Sequence, residues 1–155
     1  MPDAPRFASR AGLADLEETA VFAPKFDADG LIPAIASDAA SGKVLMFAWM
    51  NAEALKATLE TGMAHFYSRS RQRLWRKGET SGEGLKIEAV LTDCDQDVIL
   101  LEVSSQGRGA ACHTGRRSCF YRKVTGNKDA WHLSPADAEL LFDPAEVYGR
   151  GGNSA

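Results

Sequence analysis

Residues 31–62 read LIPAIASDAASGKVLMFAWMNAEALKATLETG, and the order of signals in that stretch decides the fold. LIPAIAS (31–37) and VLMFAWM (44–50) are strongly apolar runs of strand length. Ser41-Gly42 between them is a turn signal, so the two form a hairpin. Asn51 follows at once, and an Asn there caps a helix by accepting a first-turn N–H that has no partner within the helix. In AEALKATLE, Ala54, Leu55, Thr58 and Leu59 fall near one face, and Gly62 stands where a helix end takes a left-handed residue.

Working outward, HFYSRS (65–70) is expected to return as a strand, and KGETSGEG (77–84) reads as a polar loop. LKIEAVL (85–91) alternates, with Leu85, Ile87, Ala89 and Leu91 on one side. VILLEV (98–103) is the next strand and CFYRKV (119–124) the last. LADLEETA (13–20) allows a short helix. Ser134-Pro135 with Asp137 reads as a capping pattern that opens a final helix. No repeat or linker divides the chain. The expectation is α+β: a strand-rich single domain over 26–145 with a few peripheral helices, an N-terminal arm at 1–25 and a flexible tail at 146–155.

The 155 residues carry 18 basic and 21 acidic side chains, a net charge of −3. A protein whose main task is binding nucleic acid usually carries a basic excess, so the balance argues against that partner. No apolar stretch is long enough to span a membrane, and MPDAPRFASR at the start lacks the apolar core of a secretory signal. A cytoplasmic location is expected. An odd number of cysteines, three, suits thiols or metal ligands better than a disulfide framework.

Those cysteines, Cys94, Cys112 and Cys119, sit in polar surroundings: Cys94 between two aspartates, Cys112 and Cys119 at the ends of HTGRRS. A lone cysteine is usually a small buried hydrophobe. Three in such settings point to a metal. Tetrahedral thiolates lie about 2.3 Å from zinc, and a seven-residue helical spacing would separate Cys112 from Cys119 by about 10.5 Å of rise. The segment must therefore fold back as a loop, which Thr114-Gly115 permits. Three protein ligands leave a fourth position for water, the catalytic type of site. His113 is placed beside it as a proton carrier.

Asp93, Asp95 and Asp97 alternate, so an extended strand projects them to one side and Cys94 to the other. Their mutual repulsion is offset by a hard cation such as Mg²⁺, or they form a solvated acidic edge. An EF-hand is excluded, because Val98 and Ser104 stand where its glycine and glutamate belong. SRSRQRLWRK (68–77) and HTGRRS (113–118) concentrate arginine with serine and threonine, the side chains that phosphate recognition uses. Candidate substrate contacts are Ser68, Arg69, Ser70, Arg71, Trp75, Lys77, Thr80, Ser81, Thr114, Arg116, Arg117 and Ser118. A small phosphorylated substrate suits basic loops beside a catalytic metal better than a polymer does.

The runs SGKVLMFAWMN, AHFYSRSRQRLWRKGETSG, DCDQD and ACHTGRRSCFYR, in that order, resemble the phosphoribosyl-AMP cyclohydrolase family of histidine biosynthesis over residues 30–124. The resemblance implies hydrolytic opening of the adenine ring of phosphoribosyl-AMP between N1 and C6. It implies one Zn²⁺ per subunit on Cys94, Cys112 and Cys119, Mg²⁺ on Asp93, Asp95 and Asp97, and an intertwined homodimer. The active sites are then shared: Cys94 comes from one subunit and the other two thiolates from its partner. Many members have glycine where this chain has Gln96, a change expected to matter little. SSQGRGAA before Cys112 runs slightly longer than the resemblance leads one to expect. Too few residues follow Tyr121-Arg122 for the second, pyrophosphate-hydrolysing domain of some relatives, so a single step is expected.

Two other readings compete. A structural-zinc nucleic-acid module requires a fourth protein ligand and salt-dependent binding. A redox or metal-storage protein requires a reversible Cys112–Cys119 disulfide, and it leaves the aspartates and arginines without a role.

Overall fold

The computed structural model describes residues 7–149. The expectations of a loose start and a flexible end that fall on 1–6 and 150–155 lie outside the described residues. Strands β1 (Ile32–Asp38) and β2 (Val44–Met50) form the expected antiparallel hairpin. The side chain of Asn51 accepts the N–H of Ala54 at 2.8 Å and starts α1 (Ala52–Thr61). Gly62 ends that helix at φ 72°, its N–H donating to the Thr58 carbonyl. Ala54, Leu55 and Thr58 are buried, whereas Leu59 is left 46% exposed.

The basic run hides a strand. β3 (His65–Ser68) pairs with β4 (Arg73–Arg76), setting Phe66 opposite Trp75. Those two rings are buried 5.2 Å apart, while Arg73 and Arg76 stay exposed. Burial of one face is enough to make a strand of a sequence dominated by charge. Helix α1 packs on β2, β3 and β4.

β5 (Leu85–Thr92) and β6 (Ile99–Ser105) complete a four-stranded sheet of order β2-β1-β6-β5. The outer pairs are antiparallel, and β1 runs parallel to β6. Ile32, Ala34 and Ala36 of β1 and Ile99, Leu101 and Val103 of β6 are fully buried at this seam. Near-continuous apolar runs are what a central parallel pair needs. The regular alternation of 85–91 is interrupted by a bulge between Ile87 and Ala89, and Leu91 is 42% exposed.

The two ends depart from the sequence reading. Residues 13–20 make turns, with the N–H groups of Glu18 and Thr19 both on the Asp15 carbonyl. No side chain there is buried, so packing supplies nothing to offset the cost of nucleating a helix. CFYRKV is not the last strand: β7 (Arg122–Asn127) starts later and pairs with an eighth, β8 (Ala130–Pro135). Ser134 and Pro135 close β8 and open no helix. Proline is tolerated at such a two-stranded edge. The final helix is α2 (Pro144–Tyr148), capped by Asp143 with proline in its first turn, the same signals one segment later.

The β7–β8 hairpin packs broadly against no other element. Register places Val124 opposite Leu133 and Gly126 opposite Trp131, on one face. Val124, Trp131 and Leu133 are 69%, 66% and 53% exposed. No helix among the described residues is long and apolar enough to cross a membrane.

Candidate metal and substrate site

Two loops carry the candidate ligands. The first is 93–97, between β5 and β6. It is a turn, not the extended strand that alternation suggested. The N–H groups of Asp97 and Val98 both donate to Asp93 Oδ1, at 2.9 and 3.1 Å. The turn still gathers the aspartates: ligand oxygens of Asp93, Asp95 and Asp97 lie within 4.8 Å of one another. The proximity comes from the turn's curl, which period-two reasoning does not foresee. Three carboxylates so close disfavour one another's ionisation. Hydrogen bonding to Asp93 and Asp95, with their charge, pushes Asp97 up to about 6. Slight burial opposes ionisation of Asp93, but hydrogen bonds from Asp97, Asp95 and the two backbone N–H groups hold it below the ordinary range. The donor set is all hard oxygen, and crowded anions of this kind fit a divalent cation such as Mg²⁺.

Gln96 makes this turn possible. Its φ is 57°, the left-handed region where glycine is at ease. Its side chain, 5% exposed, accepts the Ala23 N–H at 2.8 Å and donates to the Val21 carbonyl at 3.2 Å. Its own carbonyl accepts the Lys25 N–H at 2.7 Å. The side chain does more than the sequence reading allowed. It ties residues 21–25 to the aspartate turn, and Phe7, Phe22 and Phe26 pack together on that arm.

The second loop is 112–119, between β6 and β7. It folds back as the spacing required. The Gly115 N–H donates to the Cys112 carbonyl at 3.0 Å, and the Cys112 N–H to the Arg116 carbonyl at 3.1 Å. Gly115 sits at φ 87°, and a Cβ there would stand 2.4 Å from the Phe142 carbonyl oxygen. Ser118 is fully buried and donates to the Val44 carbonyl at 2.8 Å, and the Cys119 N–H donates to Leu45. Strand β2 therefore places Cys119. Cys112 is 4% exposed and follows buried Ala110 and Ala111, so the polar run beside it in sequence does not keep it at the surface.

The two sulfurs meet. The S–H of Cys119 donates to Cys112, and the Thr114 hydroxyl adds a second bond at 3.0 Å. Against the opposing effect of burial, these pull the Cys112 thiol well below the usual thiol range. Cys119, the donor, is pushed up, while the Lys77 charge pulls the other way. His113 is exposed, and its charge also favours the Cys112 thiolate. Two paired cysteine sulfurs with a cation beside them are a donor set that suits zinc. The third cysteine is elsewhere. Cys94 lies exposed on the aspartate turn. The aspartates are the one group of three or more candidate ligands drawn together among the described residues. One chain thus brings two thiols together and leaves the third apart.

The other candidates separate by environment. Lys77, 7% exposed, and Thr114 lie at the thiol pair. Ser68 is buried at the end of β3 near Ser70, and Arg69 lies over the Trp49 ring at 4.9 Å. Arg71 donates its N–H to Ser68 Oγ. Trp75 sits in the core against Phe66, and Ser118 is the buried anchor just described. Thr80 is exposed; Ser81 Oγ caps the Glu83 N–H. Arg116 stacks on Tyr121 at 4.3 Å. Arg117 and Lys43 both pair with Asp137 and line a cavity of about 390 Å³ with Asp38 and Ser41. A second cavity, about 280 Å³, joins Trp49 and Lys25 to Asp97. The sequence reading gave Lys43 and Glu83 no role, took Asp137 for part of a helix cap and took Gln96 for a neutral departure.

The family description "Phosphoribosyl-AMP cyclohydrolase" matches residues 46–121, which span the thiol pair, the aspartate turn and the basic hairpin. A protein of that name from Rhodopseudomonas palustris (strain BisB18) is 57% identical over 89% of this chain and 94% of its own length. The chain belongs to the phosphoribosyl-AMP cyclohydrolase family. Family members from Nitrobacter winogradskyi and Sinorhizobium fredii are 56% and 51% identical, over 86% and 87% of this chain and 92% and 89% of their own lengths. The β7–β8 hairpin and α2 lie past the residues matched by the family description.

Proposed function

We propose that this protein opens the adenine ring of 1-(5-phosphoribosyl)-AMP by hydrolysis of the N1–C6 bond, the third step of histidine biosynthesis, in the cytoplasm. The observation that carries the reading is the Cys112–Cys119 pair in a chain more than half identical to proteins named for this reaction. Three free thiols suit a reducing compartment.

Cys112 and Cys119, with Cys94 of a second subunit, would hold zinc. Bound there, the metal supplies a water acidic enough to act as a nucleophile at neutral pH. The ribosyl group on N1 makes C6 electrophilic. Water adds to C6, its oxygen becomes the carboxamide oxygen, and the C6–N1 bond breaks with a proton passing to N1. His113 is exposed next to Cys112 and carries that proton. Lys77 places a positive charge beside Cys119. The aspartate turn would hold magnesium, and Arg69, Arg71, Arg116 and Arg117 meet the phosphates.

The homodimer belongs to this reading. The thiol trio is divided within one chain, and the β7–β8 hairpin with its apolar face begins three residues after Cys119. A second copy covering that face comes to the thiol pair.

The test is turnover of phosphoribosyl-AMP by the purified protein, followed by absorbance, with and without a zinc chelator. Chelator-sensitive turnover supports substrate, reaction and metal together. No turnover by zinc-loaded dimer sinks the reading. Cys112→Ser should lose turnover by at least about 100-fold with the fold retained, as loss of a metal ligand exceeds the effect of an outer-shell change. Circular dichroism checks the fold.

A further inference from the structure

Glu83 is 2% exposed and lies against the segment that leads into Cys112. A buried carboxylate is costly unless donors fill its oxygens. Here four donors do. The Arg108 N–H reaches Oε2 at 2.9 Å, and those of Gly109 and Ala110 reach it at 3.0 and 3.2 Å. Arg108 Nε reaches Oε1 at 2.8 Å. Three successive N–H groups converging on one anion fix the path of the chain between them, as backbone nests do around bound anions. Gly107 is part of the fit, since a Cβ there would stand 2.9 Å from Glu83 Oε2 and 2.8 Å from the Gly82 carbonyl oxygen. This is the stretch that runs longer than the family resemblance suggests. The outer side of Arg108 is also held, its guanidinium 4.3 Å from the Phe142 ring centre. Cys112 follows two residues after the last clamped N–H.

We propose that Glu83 is a positioning residue for zinc: by clamping the N–H groups of 108–110 it holds the Cys112 sulfur where Cys119 and a partner's Cys94 can share one ion with it. The inference rests on the zinc reading given above. Glu83 touches neither metal nor substrate, and acts through the backbone it holds. An amide in its place turns an NH₂ group toward donors, and the loop loosens. A metal site feels that as lost affinity, about 10–100-fold when a group that orients a ligand is removed.

Zinc affinity is measured by competition with a chromophoric chelator, well below the melting temperature of each variant. Wild type, Cys112→Ser, Glu83→Gln, Glu83→Asp and Arg108→Gln are compared as dimers. If wild type and Cys112→Ser bind zinc equally, the zinc reading itself fails, whatever Glu83 does. If Cys112→Ser weakens zinc, Glu83→Gln should weaken it about 10–100-fold. Arg108→Gln, which leaves all three backbone donors in place, should bind as wild type does. Glu83→Asp keeps the charge but shortens the reach, and should also weaken zinc. It decides the matter if Glu83→Gln does not fold. A Glu83 variant that melts earlier yet binds zinc with wild-type affinity makes the clamp a mere brace and overturns the proposal.

Discussion

Gln96 combines a left-handed backbone with a side chain held by the Ala23 N–H and the Val21 carbonyl. Left-handed geometry costs a non-glycine residue about 1–2 kcal/mol, and each lost hydrogen bond about 1 kcal/mol. Gln96→Gly removes both the strain and the tether, so the two changes nearly cancel. Gln96→Ala keeps the strain and loses the tether, and should be the less stable of the two by about 1 kcal/mol. Urea denaturation of both variants orders them, and an alanine variant as stable as the glycine variant would remove this account. Glu83 makes a prediction about acid. Burial works against its ionisation, but Arg108 and the N–H groups of Arg108 and Ala110 outweigh it, so its carboxyl is held below the usual range. Its contribution is complete above the unfolded value, about pH 4.5, and is lost as pH falls through the folded one. The melting-temperature gap between wild type and Glu83→Gln should therefore narrow as pH falls below about 4.5. Residues of this kind were not legible in the sequence. A glutamate in a glycine-rich loop reads as solvated until its three backbone partners, distant in the chain, are known. The cysteines and aspartates were legible because their chemistry is rare.

At the scale of elements, local signals worked where they agreed with burial. Asn51 and Gly62 bracket α1 as read, because cap, apolar face and left-handed stop all point the same way. Asn51→Ala should lower stability by about 1 kcal/mol, read as a shift in the urea midpoint with the slope unchanged. No shift would mean that packing on β2 and β3 holds the first turn without the cap. Ser134-Pro135 shows the limit of such signals. Serine, proline and an acidic residue also satisfy a strand end, and only the pairing of Lys123 with Ser134 decides between them. The aspartates show another limit. Extended alternation and a curled turn both bring them together, so the cluster was found for a reason the structure replaces.

At the scale of the molecule, the sheet order was beyond sequence, since it depends on which distant segments meet, and the separation of Cys94 from the other thiols was expected through the family resemblance alone. The exposed face of β7–β8 carries a prediction. A lone two-stranded hairpin is marginal in water, and in the proposed dimer a second copy supports it. Trp131→Lys should convert dimer to folded monomer in sedimentation and lower turnover per chain. A variant that remains a fully active dimer would place the interface elsewhere. The central seam has a different consequence. Ala34 of β1 pairs with Ile99 of β6, so the middle of the sheet cannot close until the ribosome has released the chain beyond that point. During synthesis β1 can zip with β2 on one side only, and its other edge stays bare. Closing a gap of that length is the slow part of such a topology. The nascent polypeptide thus passes a long interval with a naked, apolar strand edge, the state most ready to adhere to a neighbour.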